Sequence, residues 1–225
     1  MPAWEPAGFL SALDDVDRAA LVELGHAKRF AKGRMLFLEG DRNDDVIVLR
    51  EGQVKIVCTG LDGRENLLAV RGPGDLIGEL SAIDERRHPR TATAVAMSSV
   101  RAQIVSAKDF LAFLHSRPGA ALALLRTLSK RQRDGDRRRV EYGSYDASHR
   151  LARVLVELAD EHGRGVTEGT DIGLALSQDE LAGLIGSSRE SVARALATLR
   201  RRGHIVTARR SIVIVDLEQL RRYAS

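Results

Sequence analysis

The sequence predicts an α+β protein in three successive parts: an antiparallel β-domain, a long helix, and a compact C-terminal unit of helices followed by a hairpin. Three observations predict it. Residues 28 to 105 hold short β-type runs broken by glycine turns every eight to twelve residues. Residues 107 to 142 lose that pattern and carry few helix breakers after Pro118. From Ser177 onward, two Ser-x-x-Glu helix starts flank Gly186, and two β-type runs follow. These parts divide the chain at 1–117, 118–147 and 148–225.

Taken in order, SALDDVDRAALVEL (11–24) places Leu13, Val16, Leu21 and Leu24 at near-helical spacing behind Ser11 as an N-cap. The runs MLFL, VIVL, VKIV, ENLLAV and TATAV then read as strands. Gly33, Gly40, Gly52, Gly60, Asp62-Gly63 and Gly72-Pro73-Gly74 punctuate them, the pattern of an antiparallel sandwich or barrel. Pro118 suits a first helical position, and Leu122, Leu125 and Leu128 form an apolar stripe behind it. The continuation KRQRDGDRRRVEY is almost wholly polar, with Gly135 its weakest helical residue and Gly143-Ser144 a hinge.

The last part opens with HRLARVLVELADEHG, an amphipathic helix ending at Gly163. Two helices joined at Gly186 and a following hairpin have the outline of a winged helix-turn-helix. On the second of these helices, Val192, Ala195, Leu196 and Leu199 fall on one face, so Glu190, Arg194 and Arg201 project from the other. Arg189 stands in the first turn, near the edge of that outer face. Residues 189–210 carry seven arginines and one acid. Glu190 and Arg194 alone would be an ordinary exposed i,i+4 pair. Set among two capped helices, a glycine turn and a hairpin, they point to DNA: arginine donates to guanine O6 and N7, and glutamate accepts from cytosine N4.

Bulk composition narrows the classes. The chain has 225 residues, 44% hydrophobic and 29% charged, with a formal charge of +4 and a sequence pI of about 9.6. Arginine exceeds lysine, which suits phosphate and guanine edges but also fits a genome rich in arginine codons. The single cysteine, Cys58, excludes an intramolecular disulfide, an iron–sulfur cluster and a thiolate zinc site. His88 and His115 read as surface histidines rather than haem ligands. There is neither a run of 18 apolar residues nor a signal pattern in MPAWEPAGF, so a cytoplasmic protein with no membrane partner is expected.

IGELSAIDERRHPRTATAV (77–95) places Glu79 and Arg90 at the two ends of one charged loop, each beside residues of buried type. Such charges need partners. This stretch resembles the phosphate-binding cassette of the Crp/Fnr superfamily, Gly-Glu-Leu followed by Arg-Ser/Thr-Ala, and SQDELAGLIGSSRESVARAL resembles that family's helix-turn-helix. Both motifs stand in the family's order, and DGRENLLAV and PGDLIGELS are similar to actinobacterial members.

The resemblance implies an N-terminal β-roll that binds a cyclic nucleotide, a homodimer formed through residues 118–142, and a DNA-reading C-terminal domain. It implies that Glu79 accepts from the ribose 2′-hydroxyl. Arg90 pairs with the cyclic phosphate, helped by the Thr91 hydroxyl and amides around Gly78, Leu80 and Thr91. Gly135 and Asp136 take the place of the hydroxyl and amide pair that faces adenine in cyclic-AMP-responsive members, which puts cyclic AMP itself in question. Arg86, Arg87 and His88 lengthen and charge the cassette loop, while Gln132, Arg139 and Tyr142 make the dimer seam polar. Arg189, Glu190 and Arg194 match the base-reading positions, with Ser177, Gln178, Ser188, Ser191 and Arg201 beside them at the DNA. A palindrome with TGTGA-like half-sites follows. Double-stranded DNA, a second copy of the chain and RNA polymerase are the implied partners, with no tightly bound cofactor. An effector-independent regulator with a degenerate pocket is the alternative. A cyclic-nucleotide-processing enzyme lacks a second carboxylate, a nucleophile–base pair and a metal cluster in the sequence, so no catalytic residue is assigned.

Overall fold

The computed structural model describes residues 8–60, 63, 65–84, 86 and 88–225. Two sequence expectations, the Asp62 turn position and Arg87, lie outside the described residues. The chain divides into two compact units, residues 1–64 with 68–133, and residues 134–225 with 65–67.

The first unit begins with α1 (Gly8–Ser11) and α2 (Asp15–Glu23). Ser11 ends a helix here instead of capping one, its hydroxyl donating to the Gly8 carbonyl at 2.7 Å. Asp14 is the cap, accepting from the Asp17 amide at 2.7 Å. The shift turns Val16 outward, 69% exposed, while Leu13 and Leu21 are buried.

Among the described residues eight strands follow: β1 (His26–Phe30), β2 (Met35–Phe37), β3 (Val46–Glu51), β4 (Val54–Thr59), β5 (Glu65–Arg71), β6 (Leu76–Ile77), β7 (Thr93–Ala96) and β8 (Val100–Val105). They form two four-stranded sheets, in the orders β1-β8-β3-β6 and β2-β7-β4-β5. VIVL in β3 is apolar throughout because both its faces are covered. Val46 and Val48 join a core with Phe9, Phe110 and Phe113, whereas Ile47 and Leu49 join one with Val54, Ala94 and Ala102. Between β6 and β7 lies α3 (Glu79–Ile83).

Two more helices complete this part. Ser106 caps α4 (Ala107–Ser116), accepting from the Asp109 amide, and α5 (Pro118–Ser144) begins at its proline as expected. Gly135 does not interrupt α5. Ala120, Ala123 and Leu124 are buried in the first unit, while Leu122 and Leu125 are 46% and 61% exposed.

In the second unit the expected hinge is displaced. Gly143 and Ser144 are helical, and the break falls at Tyr145–Asp146, because Asp146 caps α6 (Ala147–His162) by accepting from the Ser148 and His149 amides. Next come β9 (Arg164–Val166) and β10 (Gly169–Asp171), then α7 (Gln178–Ile185) and α8 (Arg189–Arg201). The hairpin β11 (Ile205–Ala208) and β12 (Ser211–Ile214) precedes a closing helix, α9 (Leu217–Tyr223). The wing is wider than a simple hairpin, a sheet in the order β11-β12-β10-β9. Leu151, Leu155 and Leu158 of α6 are buried, as are Leu181, Leu196 and Leu220 of α7, α8 and α9.

Candidate functional site

In the first unit, Gly78 caps α3 with φ +81, a left-handed conformation open to glycine. A Cβ at this position would fall on the Arg90 guanidinium and 3.0 Å from the Asp45 carbonyl oxygen. The close approach has a purpose. Arg90 donates to the Gly78 carbonyl at 2.6 Å, to the Asp45 carbonyl at 2.5 Å and to Asn43 Oδ1 at 3.3 Å. Its guanidinium lies 4.4 Å over the Phe37 ring, and its Nε is buried without a partner. Burial pulls the Arg90 pKa down, opposed by the negative charges of Asp45, Asp44, Glu79 and Asp41. The backbone is pinned as well, since the Arg90 amide donates to the Asp41 carbonyl and the Gly40 amide to the Arg90 carbonyl, both at 2.8 Å.

Glu79 is equally enclosed, and its partner was invisible in the sequence. Arg131 of α5 donates to Glu79 Oε1 at 2.6 Å and to the Leu76 carbonyl at 2.9 Å, and its charge lies 3.8 Å from Asp75. The two ends of the loop are thus compensated separately. Leu80 and Thr91 are exposed beside them. Within the loop, Asp84 accepts from the Arg86 and His88 amides, both at 3.1 Å, and pairs with the His88 ring, which chiefly holds its carboxyl below the usual range.

Gly78, Glu79, Leu80, Arg90 and Thr91 are therefore brought together around one loop. Gly135 and Asp136 belong to the stretch of α5 in the second unit, where Asp136 accepts from Arg139 at 3.1 Å. The polar half of α5 is also less free than its composition suggests. Glu141 is 5% exposed and paired with Arg153 at 2.5 Å, while Glu157 of α6 takes both Arg137 and Arg138.

Still in the second unit, the Ser177 capping box forms as expected. The Glu180 amide donates to Ser177 Oγ at 3.1 Å, and the Ser177 amide to Glu180 Oε2 at 2.8 Å. The second box does not form on Ser187. Ser188 is the cap of α8 and accepts from the Ser191 amide at 3.2 Å, so the helix starts one residue later than expected. Gly186 closes α7 with φ +56, and a Cβ there would stand 2.7 Å from the Tyr142 ring carbons.

The amphipathic division of α8 holds. Val192, Ala195, Leu196 and Leu199 are buried, while Arg189, Glu190, Arg194 and Arg201 are exposed. Ser177, Gln178 and Ser188 are exposed as well, and Ser191 is half-buried with its hydroxyl 3.0 Å from the Arg194 guanidinium. Hydrogen bonds from the Glu190 amide and the Ser188 hydroxyl lower the Glu190 pKa, with Arg189 and Arg194 adding to the effect. The carboxylate stays an acceptor. A shallow groove beside it is lined by Arg194, Ala197, Thr198, Arg200 and Arg201. This face can present donors and one ionised acceptor to base edges. Among the described residues there is no cluster of three or more metal-ligating side chains, and no helix long and apolar enough to cross a membrane.

Residues 27–117 match the family profile of the cyclic nucleotide-binding domain, and residues 149–223 that of the Crp-like helix-turn-helix domain. A CRP-like cAMP-activated global transcriptional regulator of Mycobacterium tuberculosis is 34% identical over 218 residues, 97% of this chain and 96% of that one. A cyclic AMP receptor protein of Thermus thermophilus is 32% identical over 174 residues, 77% of this chain and 76% of that one. A solved CRP-family transcriptional regulator from Thermus thermophilus is similar with a TM-score of 0.72 at 30% identity, covering 88% of this chain and 96% of its own.

Proposed function

This chain belongs to the Crp/Fnr superfamily of DNA-binding transcription regulators, and from that membership we propose that it acts as a homodimer controlled by a cyclic nucleotide in the β-domain. The observation that carries the proposal is the enclosure of Glu79 and Arg90, each 4% exposed, at the two ends of one loop. Glu79 accepts from a ribose hydroxyl. Arg90 exchanges the carbonyls of Gly78 and Asp45 for phosphate oxygens, a stronger charge-assisted bond. Thr91 and the amides around Gly78 and Leu80 complete the cradle.

The base is recognised differently from the family's cyclic-AMP-responsive members, because Gly135 and Asp136 offer no hydroxyl or side-chain amide donor. The relative in Mycobacterium is named as cAMP-activated, which supports the nucleotide class. Dimerisation through residues 118–142 is supported by Leu122 and Leu125, exposed three residues apart on α5. The α8 helices of the two copies enter successive major grooves about 34 Å apart on a palindrome of TGTGA-like half-sites. Arg189, Glu190 and Arg194 read bases, while Ser177, Gln178, Ser188, Ser191 and Arg201 position the domain on the duplex. RNA polymerase is the partner through which bound protein acts on transcription.

The effect of the ligand is a population shift limited by its differential affinity for the two dimer states. The test is titration calorimetry with cyclic mono- and dinucleotides, followed by DNA affinity with and without each ligand that binds. A tenfold rise in affinity would correspond to about 1.4 kcal/mol of coupling. Nucleotide binding without a change in DNA affinity would refute effector control. A second reading, an effector-independent regulator, is favoured by the internal partners that Arg90 and Glu79 already have. DNA binding at full strength, with every cyclic nucleotide silent, would establish it. No nucleotide turnover is expected under either reading.

A further inference from the structure

β2 departs from a regular strand. Met35 pairs with Val95 and Phe37 with Ala94, so two steps along β2 answer one along β7. The extra residue makes a β-bulge, which bends a strand and re-aims its side chains. In a regular strand Met35 and Phe37 would share a face, with Leu36 on the other. Here Met35 is 52% exposed, while Leu36 and Phe37 both pack against the core that holds Leu49, Ala94 and Ala102. Beyond the bulge the chain is fastened to the segment that ends the cassette loop. The Glu39 amide donates to Thr93 Oγ1 at 2.9 Å, and the Gly40 amide to the Arg90 carbonyl at 2.8 Å. Bulge and bonds together set the Phe37 ring against the Arg90 guanidinium, with 4.4 Å from Cζ to the ring centroid.

The remaining partners of that guanidinium are hydrogen bonds at its edge. Nη1 donates to the Gly78 carbonyl and Nη2 to the Asp45 carbonyl and Asn43 Oδ1, while the buried Nε has no partner. The N–H donors of a guanidinium lie in its plane, so its faces are left to packing. A charge that is only 4% exposed gains more from an aromatic face than an exposed one would. When a phosphate takes the place of the two carbonyls, the edge bonds are exchanged and the ring contact is not. We propose that Phe37 is a positioning residue for the anion site, its face holding the Arg90 guanidinium in one plane while the edge partners change. An aliphatic side chain fills the same space without the negative face that attracts the cation, so the site needs the ring rather than its bulk. The inference rests on the nucleotide reading of Arg90, and adds a residue that lies outside the cassette motif.

The test uses the full-length protein. Nitrogen NMR spectra of the ligand-free protein report the guanidinium directly, with the Arg90 signals identified by their absence in Arg90→Lys. In the parent, the Arg90 Nε–H is expected to exchange slowly with water and the two Nη groups to give separate signals. In Phe37→Leu the exchange should quicken and the Nη signals merge, whereas Phe37→Tyr, which keeps the aromatic face, should match the parent. Titration calorimetry with cyclic AMP and cyclic GMP reads the consequence for binding. Phe37→Leu is expected to bind about tenfold more weakly, the equivalent of about 1.4 kcal/mol, which is the scale of a cation–π contact removed from water. Ile56→Val trims a side chain packed on the same core, and should lower the melting temperature while leaving both readouts in place. Parental Arg90 signals in Phe37→Leu would overturn the assignment, as would equal losses in the leucine and tyrosine variants or an unchanged nucleotide affinity. Failure of the parent to bind either nucleotide would instead tell against the nucleotide reading, and the ligand-free spectra would still decide the role of Phe37.

Discussion

Arg131 donates to Glu79 at 2.6 Å, so the buried carboxylate that opens α3 is neutralised by a side chain of the long helix. The same guanidinium holds the Leu76 carbonyl at 2.9 Å. Under the proposed function, a ligand hydroxyl bonding to Glu79 would therefore touch a group already coupled to α5. The pair links the start of α3 to the long helix within the first unit.

Removing one partner of this pair leaves a charge stranded in a poorly solvated place. Arg131→Met is expected to destabilise the β-domain by about 3 kcal/mol. Glu79→Gln combined with Arg131→Met removes both charges and is expected to recover most of that loss. Calorimetric melting of the full chain checks both, and identical melting of Arg131→Met and the parent would rule out a structural role for the pair.

Gly186 meets two demands at once, a left-handed backbone and the Tyr142 ring at 2.7 Å. Gly186→Ala is expected to cost about 1–2 kcal/mol from backbone strain and a further amount, about 1–3 kcal/mol, from overpacking. Adding Tyr142→Ala relieves the second cost and leaves the first. A double variant as unstable as the sum of the two single changes would show that the ring does not oppose residue 186.

Asp146 stops α5 from running into α6 by capping the latter. Its pKa is lowered chiefly by the His149 amide, with the Ser148 amide and the His149 ring adding to it, and burial is the main effect opposing them. A lowered folded pKa means that its contribution is present above the unfolded value of about 3.9. That contribution is lost as pH falls through the folded value. Asp146→Ala is expected to cost about 1 kcal/mol at neutral pH, and less as the pH drops below about 4. Asp146→Asn keeps the cap but cannot titrate, so it should match the parent at pH 7 and show a weaker acid dependence. Urea unfolding at several pH values reads both.

Arg189 and Glu190 are exposed at the start of α8, with Glu190 held ionised. Arg189→Ala is expected to cost about 1–3 kcal/mol at one guanine and to relax the preference there. Glu190→Gln should weaken discrimination at a neighbouring cytosine. Affinities for duplexes with single base changes test both. A loss equal on all sequences would make Arg189 a phosphate contact.

Legibility along the chain follows the range of the interactions. The Ser177–Glu180 box spans four residues, and its reciprocal hydrogen bonds form as the pattern predicts. At the neighbouring serine pair the pattern predicts a start one residue early, because Ser187 and Ser188 are both good caps and the turn after Gly186 selects the second. HAKRF in β1 has no apolar alternation, since it lies at a sheet edge with four of its five residues exposed, so nothing local marks it as a strand. Its register comes from pairing with β8, 70 to 78 positions away.

The sequence by itself determined the order of the three parts, the faces of α8, and the two enclosed charges at 79 and 90. Each of these is written in periodicity or in a motif a few residues long. Tertiary structure alone decided what neutralises those charges. Glu79 meets an arginine 52 positions later, and Arg90 meets the carbonyl of a residue 45 positions earlier. Such partners are set by how sheets and helices pack, and an ion pair leaves no periodic trace in the chain that makes it. The left-handed backbone at Arg210 is of the same kind. Two arginines in sequence name no conformation, and only the closing of β11 on β12 forces one of them into the left-handed region.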